Sequence, residues 1–266
     1  MNQECLRIAC SYEEIAKACE FAQNAALEAG SNDLEAYHCY LAIDEACTNI
    51  VEHGSRTSEL PGACIEICSY VEDRQLVLTL TDDGQPFDPL SLPDPDPTAG
   101  MDARASGGWG IYFIKRLMDD IRYAYEDGHN HLILTKRFEG AAEGPIAHPV
   151  SDLTPFTVVD RDGRQVLLTG FGRYDAHSVS RLGEEINVWT ERGRSQFILD
   201  MESVTHLSSG GLKHLVSIWQ RLRERRARLI LTSLPPHLHE LLEMSGLNLI
   251  FVTATTVEQA DALLRN

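Results

Sequence analysis

Residues 139–155 read Glu-Gly-Ala-Ala-Glu-Gly-Pro-Ile-Ala-His-Pro-Val-Ser-Asp-Leu-Thr-Pro. Small residues, Gly and Pro dominate and no structural period is visible, which is the composition of a linker. The charge changes at the same place. Residues 1–150 hold 26 acidic and 10 basic side chains, a net of −16, and the remainder holds 14 acidic and 13 basic, a net of −1. All seven cysteines (Cys5, Cys10, Cys19, Cys39, Cys47, Cys64 and Cys68) precede Ser69. A chain of 266 residues divided in this way is expected to form two domains, each able to bury a core. The expected bounds are 1–140 for the first domain, 141–154 for the linker and 155–266 for the second domain.

Several classes are excluded early. A hydrophobic fraction of 43% is too high for a disordered tail. A net of −16 repels phosphate backbones, so direct nucleic-acid binding by the first domain is not expected. No apolar run of about 18 residues is present, so no spanning helix is expected. The start Met1-Asn2-Gln3-Glu4 lacks the basic and apolar stretches of a signal peptide, and a cytoplasmic location follows as an expectation. An odd cysteine count without a CxxC is expected to mean buried thiols in a reducing compartment.

Periodicity places helices over 13–29 and 32–53 in the first domain, the second opened by a capping box of Asn32 and Glu35. Strands over 64–70 and 76–81 flank a turn at Asp73-Arg74. A helix follows over 110–118, then a hairpin of 121–125 and 131–136 around Asp127-Gly128. This order predicts a sheet with helices on one face. The second domain alternates strands (157–159, 166–170, 196–201, 229–232, 250–252) with helices (175–192, 210–226, 236–245, 256–264), an α/β pattern. The stretch from Pro86 to Gly108 is too long for an ordinary connection, and loops of that length are usually functional or disordered.

On the wheel of the second helix, Ala36, Cys39, Tyr40, Ile43, Cys47 and Ile50 share a core face, and Glu45, Asn49 and Glu52 lie opposite. Periodicity alone makes that opposite face solvated. The same spacing presents a carboxylate and an amide one turn apart, able to take a proton and to hold a hydrated Mg²⁺. Further on, Leu76 to Thr81 runs into the acidic turn Asp82-Asp83-Gly84-Gln85-Pro86-Phe87, and Ser106-Gly107-Gly108-Trp109-Gly110-Ile111 opens a helix. Glycines before a helix let backbone N–H groups approach a phosphate.

In order, Asp44-Glu45-Ala46-Cys47-Thr48-Asn49-Ile50-Val51-Glu52-His53-Gly54, Asp82 to Phe87, and Gly107 to Ile111 resemble the boxes of the GHKL ATP-binding superfamily, in its anti-sigma-factor serine kinase branch. The resemblance covers about residues 5–138 and extends to Leu117 to Tyr123 and Asn130-His131-Leu132. It implies ATP or ADP and Mg²⁺ as cofactors, and a kinase-domain homodimer. By the resemblance, Glu45 is the general base for a serine hydroxyl and Asn49 the Mg²⁺ ligand. Asp82 accepts from the adenine amino group, Gly84 gives the base room, and Phe87 and Ile111 lie near the nucleotide. Gly107, Gly108 and Gly110 run along the phosphates, and 88–106 form a lid. His53 is a weaker candidate and more simply a helix-end histidine. Trp109 reads as packing.

In the second domain, Phe197 to Met201 reads as a buried strand, followed by a loop and a helix start at Ser208-Ser209-Gly210-Gly211-Leu212. Serines there are ordinary caps. A phosphate there would sit at the positive end of a helix dipole. From about Phe156 onward the chain resembles the STAS domain of anti-sigma-factor antagonists. That family often shows Asp-Ser-Ser-Gly-Leu with the second serine phosphorylated. Here, without a gap, Gly210 falls at the acceptor. One deletion in the loop puts Ser209 there, which makes Ser209 and then Ser208 the acceptor candidates.

The resemblances imply a fold of a GHKL-type α+β ATP-binding sandwich followed by an α/β STAS domain. They imply a partner-switching regulator, an ATP-dependent serine kinase joined to an antagonist-like domain. Its expected partners are a sigma factor, a separate STAS antagonist, or its own second domain. The alternative is a nucleotide-sensing scaffold without kinase activity.

Overall fold

The computed structural model describes residues 3–53, 64–95, 109–138, 156–161 and 163–265. The expected linker 141–154, Gly107 and Gly108, and most of the expected lid lie outside them. The chain divides into two compact units.

The first unit contains β1 (Glu4–Ala9), α1 (Tyr12–Glu28), α2 (Asp33–His53), β2 (Cys64–Glu72) and β3 (Gln75–Asp82). A short 3-10 turn (Pro89–Ser91), α3 (Trp109–Leu117), β4 (Asp120–Glu126) and β5 (His129–Arg137) follow. The strands form an antiparallel sheet in the order β1-β2-β3-β5-β4. Its two tight turns have both central residues at positive φ, Asp73 and Arg74 at 48° and 64°, Asp127 and Gly128 at 51° and 88°. That backbone matches the twist of paired strands. The start of α2 is a reciprocal capping box, in which Glu35 N donates to Asn32 Oδ1 (2.8 Å) and Asn32 N donates to Glu35 Oε2 (3.0 Å).

Leu76, Leu78 and Leu80 on β3 point into one core with Ile65 and Ile67 of β2, Leu134 of β5, and the apolar residues of α1, α2 and α3. Strand β1 has no counterpart in the periodicity, because it is an edge strand on which only Ile8 is buried. Cys5 and Cys68, opposite each other on β1 and β2, form a disulfide. This corrects the expectation of unlinked thiols: the two residues are 63 positions apart in sequence and are brought together only by strand register.

The amphipathic reading of α2 also needs correction. Every residue from Ala36 to Cys47 is buried, including Glu45 at 3% exposure. The helix has the sheet on one side and α1 and α3 beside it, so Glu45 on the expected solvated face is covered while Glu52 stays exposed.

The second unit contains β6 (Phe156–Arg161), β7 (Gln165–Tyr174), α4 (Ala176–Glu191), β8 (Gln196–Leu207), α5 (Ser209–Glu224), β9 (Arg228–Thr232), α6 (Pro236–Met244), β10 (Val252–Ala254) and α7 (Val257–Arg265). The sheet order is β10-β9-β8-β7-β6, parallel except for the β6–β7 hairpin. Ile198 and Ile230 meet Ala260 and Leu264 of α7. Phe197 and Leu199, fully buried, point to the opposite face by strand alternation.

The expected loop after Met201 is not there. Strand β8 continues to Leu207 and carries two bulges against β7. Thr169 and Phe171 pair with Asp200 and Ser203, and Gly172 and Arg173 pair with Val204 and His206. The bulges absorb the extra residues that a sequence pattern reads as a loop. Among the described residues, no helix is long and apolar enough to cross a membrane.

Candidate functional site

The first unit holds a half-open cavity of about 230 Å³. Its wall includes Ala46, Asn49, Ile50 and His53 from α2, Asp82 from the end of β3, and Phe87 from the turn beyond. Ile111 from α3, Tyr123 from β4 and Asn130 from β5 also line it. Most of the lining is apolar, and a few polar groups converge on it, as in small-molecule sites.

Asp82, Asn130 and Tyr123 form one chain of hydrogen bonds. Asp82 follows the inward row Leu76, Leu78, Leu80 and is 8% exposed. Its Oδ1 accepts from Gly84 N (2.7 Å) and from Asn130 Nδ2 (3.0 Å). Asn130 stands opposite Asp82 in the β3–β5 register. The Asn130 Oδ1 accepts from Tyr123 OH (2.7 Å), and Phe87 N donates to the Tyr123 hydroxyl (3.0 Å). Burial raises the Asp82 pKa, opposed by the donors on Asn130 and Gly84. The network locks Oδ1 in place and fixes the direction in which Asp82 faces the cavity.

Asn49 lines the cavity, and its buried Nδ2 has no hydrogen-bond partner. A buried polar atom in that condition costs free energy unless something fills the site. Glu45, one turn earlier on α2, is not on the cavity wall. Its carboxylate lies against the first turn of α3, where a Cβ on Gly110 would stand 2.5 Å from Oε2. Phe87 is half exposed at 42% and reaches the cavity from the open side, while Ile111 is buried.

The structure thus gathers Asn49, Asp82, Phe87 and Ile111 around one space, with Gly84 bonded to Asp82 and with Glu45 and Gly110 touching each other. Gly107 and Gly108 lie outside the described residues. Of the expected lid, residues 88–95 are described and are tied down, since Lys115 Nζ donates to Leu92 O (2.9 Å) and to Asp94 Oδ1 (3.0 Å). Trp109 is buried in an edge-to-face contact with Tyr112, as its packing reading anticipates.

Sequence reasoning did not single out Tyr123 and Asn130 as site residues. The signal for Asn130 is period-two: like Asp82, it occupies an inward position on a strand whose other inward residues are mostly leucines. A polar residue in such a row has a reason to be buried.

In the second unit Ser208 is the N-cap of α5, and its Oγ accepts from Gly211 N (3.1 Å). Ser209 is the first helical residue and is half-buried. Gly211 leaves no room for a side chain, because a Cβ there would collide with the Tyr174 carbonyl. His206, two residues before the cap, is pushed down to about 3 by burial, with Arg173 and His237 adding to the effect, so it is neutral at ordinary pH.

Residues 8–136 match the family profile described as histidine kinase-like ATPase domain, and residues 155–260 match the STAS domain. The serine/threonine-protein kinase BtrW of Bordetella bronchiseptica is 33% identical over 97 residues, which cover 36% of this chain and 66% of that kinase. The serine-protein kinase RsbW of Bacillus cereus is 32% identical over 115 residues, covering 42% of this chain and 69% of that one. The solved structure of the Bacillus cell fate determinant SpoIIAA in the phosphorylated form is 23% identical with a TM-score of 0.35, covering 41% of this chain and 98% of SpoIIAA.

Proposed function

We propose, for a chain that belongs to the histidine kinase-like ATPase family and carries a STAS domain behind that unit, that it is an ATP-dependent serine kinase acting in partner switching. The unit boundaries inferred are 1–140 and 155–266 with a linker between them. The single observation that carries the reading is the convergence of an orphaned Asn49 amide and a hydrogen-bonded, buried Asp82 carboxylate on one cavity.

The fit to an adenine nucleotide is chemical. With Oδ1 engaged by two donors, the Asp82 carboxylate retains acceptor capacity for the adenine amino group. Rotating the Asn49 amide by half a turn exchanges its nitrogen for an oxygen. That oxygen is the ligand type that Mg²⁺ takes, and Asn49 is one of the residues lining the cavity. Mg²⁺, when bound, neutralises charge on the triphosphate. Glu45 accepts the proton of a serine hydroxyl as that oxygen bonds to the γ-phosphorus and ADP departs. Phe87 covers the open side of the cavity.

The relatives' names include serine/threonine kinases, and they support a serine acceptor on a partner protein. The partners inferred are a sigma factor, a separate STAS antagonist, or the chain's own second unit, in which Ser209 is the candidate acceptor. The position of Glu45 off the cavity wall favours a second reading, a nucleotide-gated scaffold that binds partners without transferring phosphate.

The deciding experiment incubates the full chain with Mg²⁺ and γ-labelled ATP, alone and with a STAS antagonist, and maps phosphosites by mass spectrometry. Label that disappears with Glu45→Ala supports the kinase. ATP binding without label on any protein supports the scaffold.

A further inference from the structure

We infer that Gly110 is a positioning residue for the Glu45 carboxylate, and that its lack of a side chain serves the base rather than the phosphates. This deepens the kinase reading and rests on it for its catalytic meaning.

A glycine at the second position of α3 needs a cause. Glycine costs a helix about 1 kcal/mol against alanine. Gly110 does not use the positive-φ freedom for which glycine is usually kept, since it is absent from the positive-φ residues and lies within α3. The remaining cause is close approach, and the structure shows what approaches. A Cβ on Gly110 would meet Glu45 Oε2 at 2.5 Å and Glu45 Cδ at 3.4 Å. The next neighbour, Asn49 Nδ2, would be 3.7 Å away, an ordinary contact.

These distances separate the two α2 residues. A methyl group at 110 displaces the Glu45 carboxylate and leaves the Asn49 amide where it is. Glu45 is buried at 3% exposure on a helix packed on several sides, so its side chain has few other places to go. The first turn of α3 therefore acts as a stop that sets where the carboxylate rests. Misplacing a catalytic group by about 1 Å can cost about 100-fold in rate.

The test is a mutant cycle on the full chain with two readouts. The first is thermal unfolding. An ordinary helical Gly→Ala raises stability. Here Gly110→Ala lowers the melting temperature in the wild-type background and raises it in the Glu45→Ala background, where the carboxylate is gone. The second is phosphotransfer. Gly110→Ala lowers the transfer rate about 10- to 100-fold while ATP affinity, measured by calorimetry, stays within about threefold. Glu45→Asp, one methylene shorter, makes room for the new methyl. The double variant Glu45→Asp/Gly110→Ala then transfers at least about tenfold faster than the product of the two single effects.

A phosphate-contacting Gly110 would instead lose ATP affinity, with no rescue by Glu45→Asp, and that result overturns the inference. So does a melting-temperature change of the same sign in both backgrounds. If wild-type protein transfers phosphate and the cycle is additive, the inference falls and the kinase stands. If the melting-temperature sign inverts and wild-type protein transfers nothing, the kinase reading falls and takes the catalytic role of Gly110 with it.

Discussion

The cavity of the first unit and the start of α5 in the second unit are both built around hydroxyl, amide or carboxylate groups near a helix end, and they differ in how far those groups are satisfied. At α5, Ser208 caps the helix: its hydroxyl takes the Gly211 amide, and His206 behind it is held neutral. In the first unit, Asp82 is fixed by Asn130 and Gly84 yet faces a space, and Asn49 presents an amide nitrogen with nothing bound to it. Polar groups that close on themselves stabilise a fold, and polar groups left open inside a cavity are reserved for something else. On the proposed reading the first unit takes the ligand, and the start of α5 is a structural cap beside the candidate acceptor Ser209.

The largest expected effect breaks the comparison on the chemical side. Glu45→Ala lowers phosphotransfer by about 100- to 10,000-fold, the range of general-base contributions, while ATP binding persists. A rate within threefold of wild type in a labelled-ATP assay would remove Glu45 from the chemistry.

Next is Asp82→Asn, which keeps an oxygen for Gly84 and Asn130 but replaces the remaining carboxylate oxygen with a donor. ATP affinity falls about 10- to 100-fold, the worth of a hydrogen bond to a charged group. Stability moves the other way. Burial raises the Asp82 pKa, so the folded chain holds that proton more tightly than the unfolded one. The stability contributed by this group is present below the ordinary carboxylate value and is lost as pH rises through the folded value. At neutral pH, Asp82→Asn therefore melts higher than wild type in calorimetry while binding ATP more weakly. A variant that loses both stability and binding contradicts the open-site description.

A smaller effect sharpens the other side. Ser208→Ala removes a cap and destabilises the second unit by about 1 kcal/mol, read as a lower melting temperature. Ser209→Ala, which leaves the cap in place, costs less. The reverse order would mean that Ser209, not Ser208, completes the helix.

The second unit also has a pH dependence. His206 is depressed to about 3, so between that value and about 6.5 the unfolded chain binds a proton that the folded one refuses. Stability of the second unit is full above about 6.5 and declines as pH falls through that window. His206→Gln flattens the decline in pH-resolved melting curves of the same chain.

Much of this was legible in the residues. The capping box of Asn32 and Glu35 and the turns at Asp73-Arg74 and Asp127-Gly128 depend on neighbours in sequence, and they are where the pattern placed them. Asp82 was legible as the first residue of the acidic turn after the Leu76 to Thr81 strand, and its role came with the family resemblance. What was hidden depends on partners distant in sequence. Strand β1 is an edge with one buried residue, and Cys5 meets Cys68 only through its register. Glu45 was assigned to a solvated face because a wheel shows one helix and cannot show α3 lying across it. The extension of β8 to Leu207 was hidden because bulges break the alternation that marks a strand.

The most direct test of the central claim is a calorimetric titration of the full chain with Mg-ATP and with Mg-GTP. An Asp82 carboxylate reading an adenine amino group meets an oxygen, not a donor, on guanine. ATP is expected to bind at least about 100-fold more tightly than GTP, because a site built to receive a hydrogen bond rejects a ligand that cannot give one. Equal affinities, or no binding of either nucleotide, would contradict it.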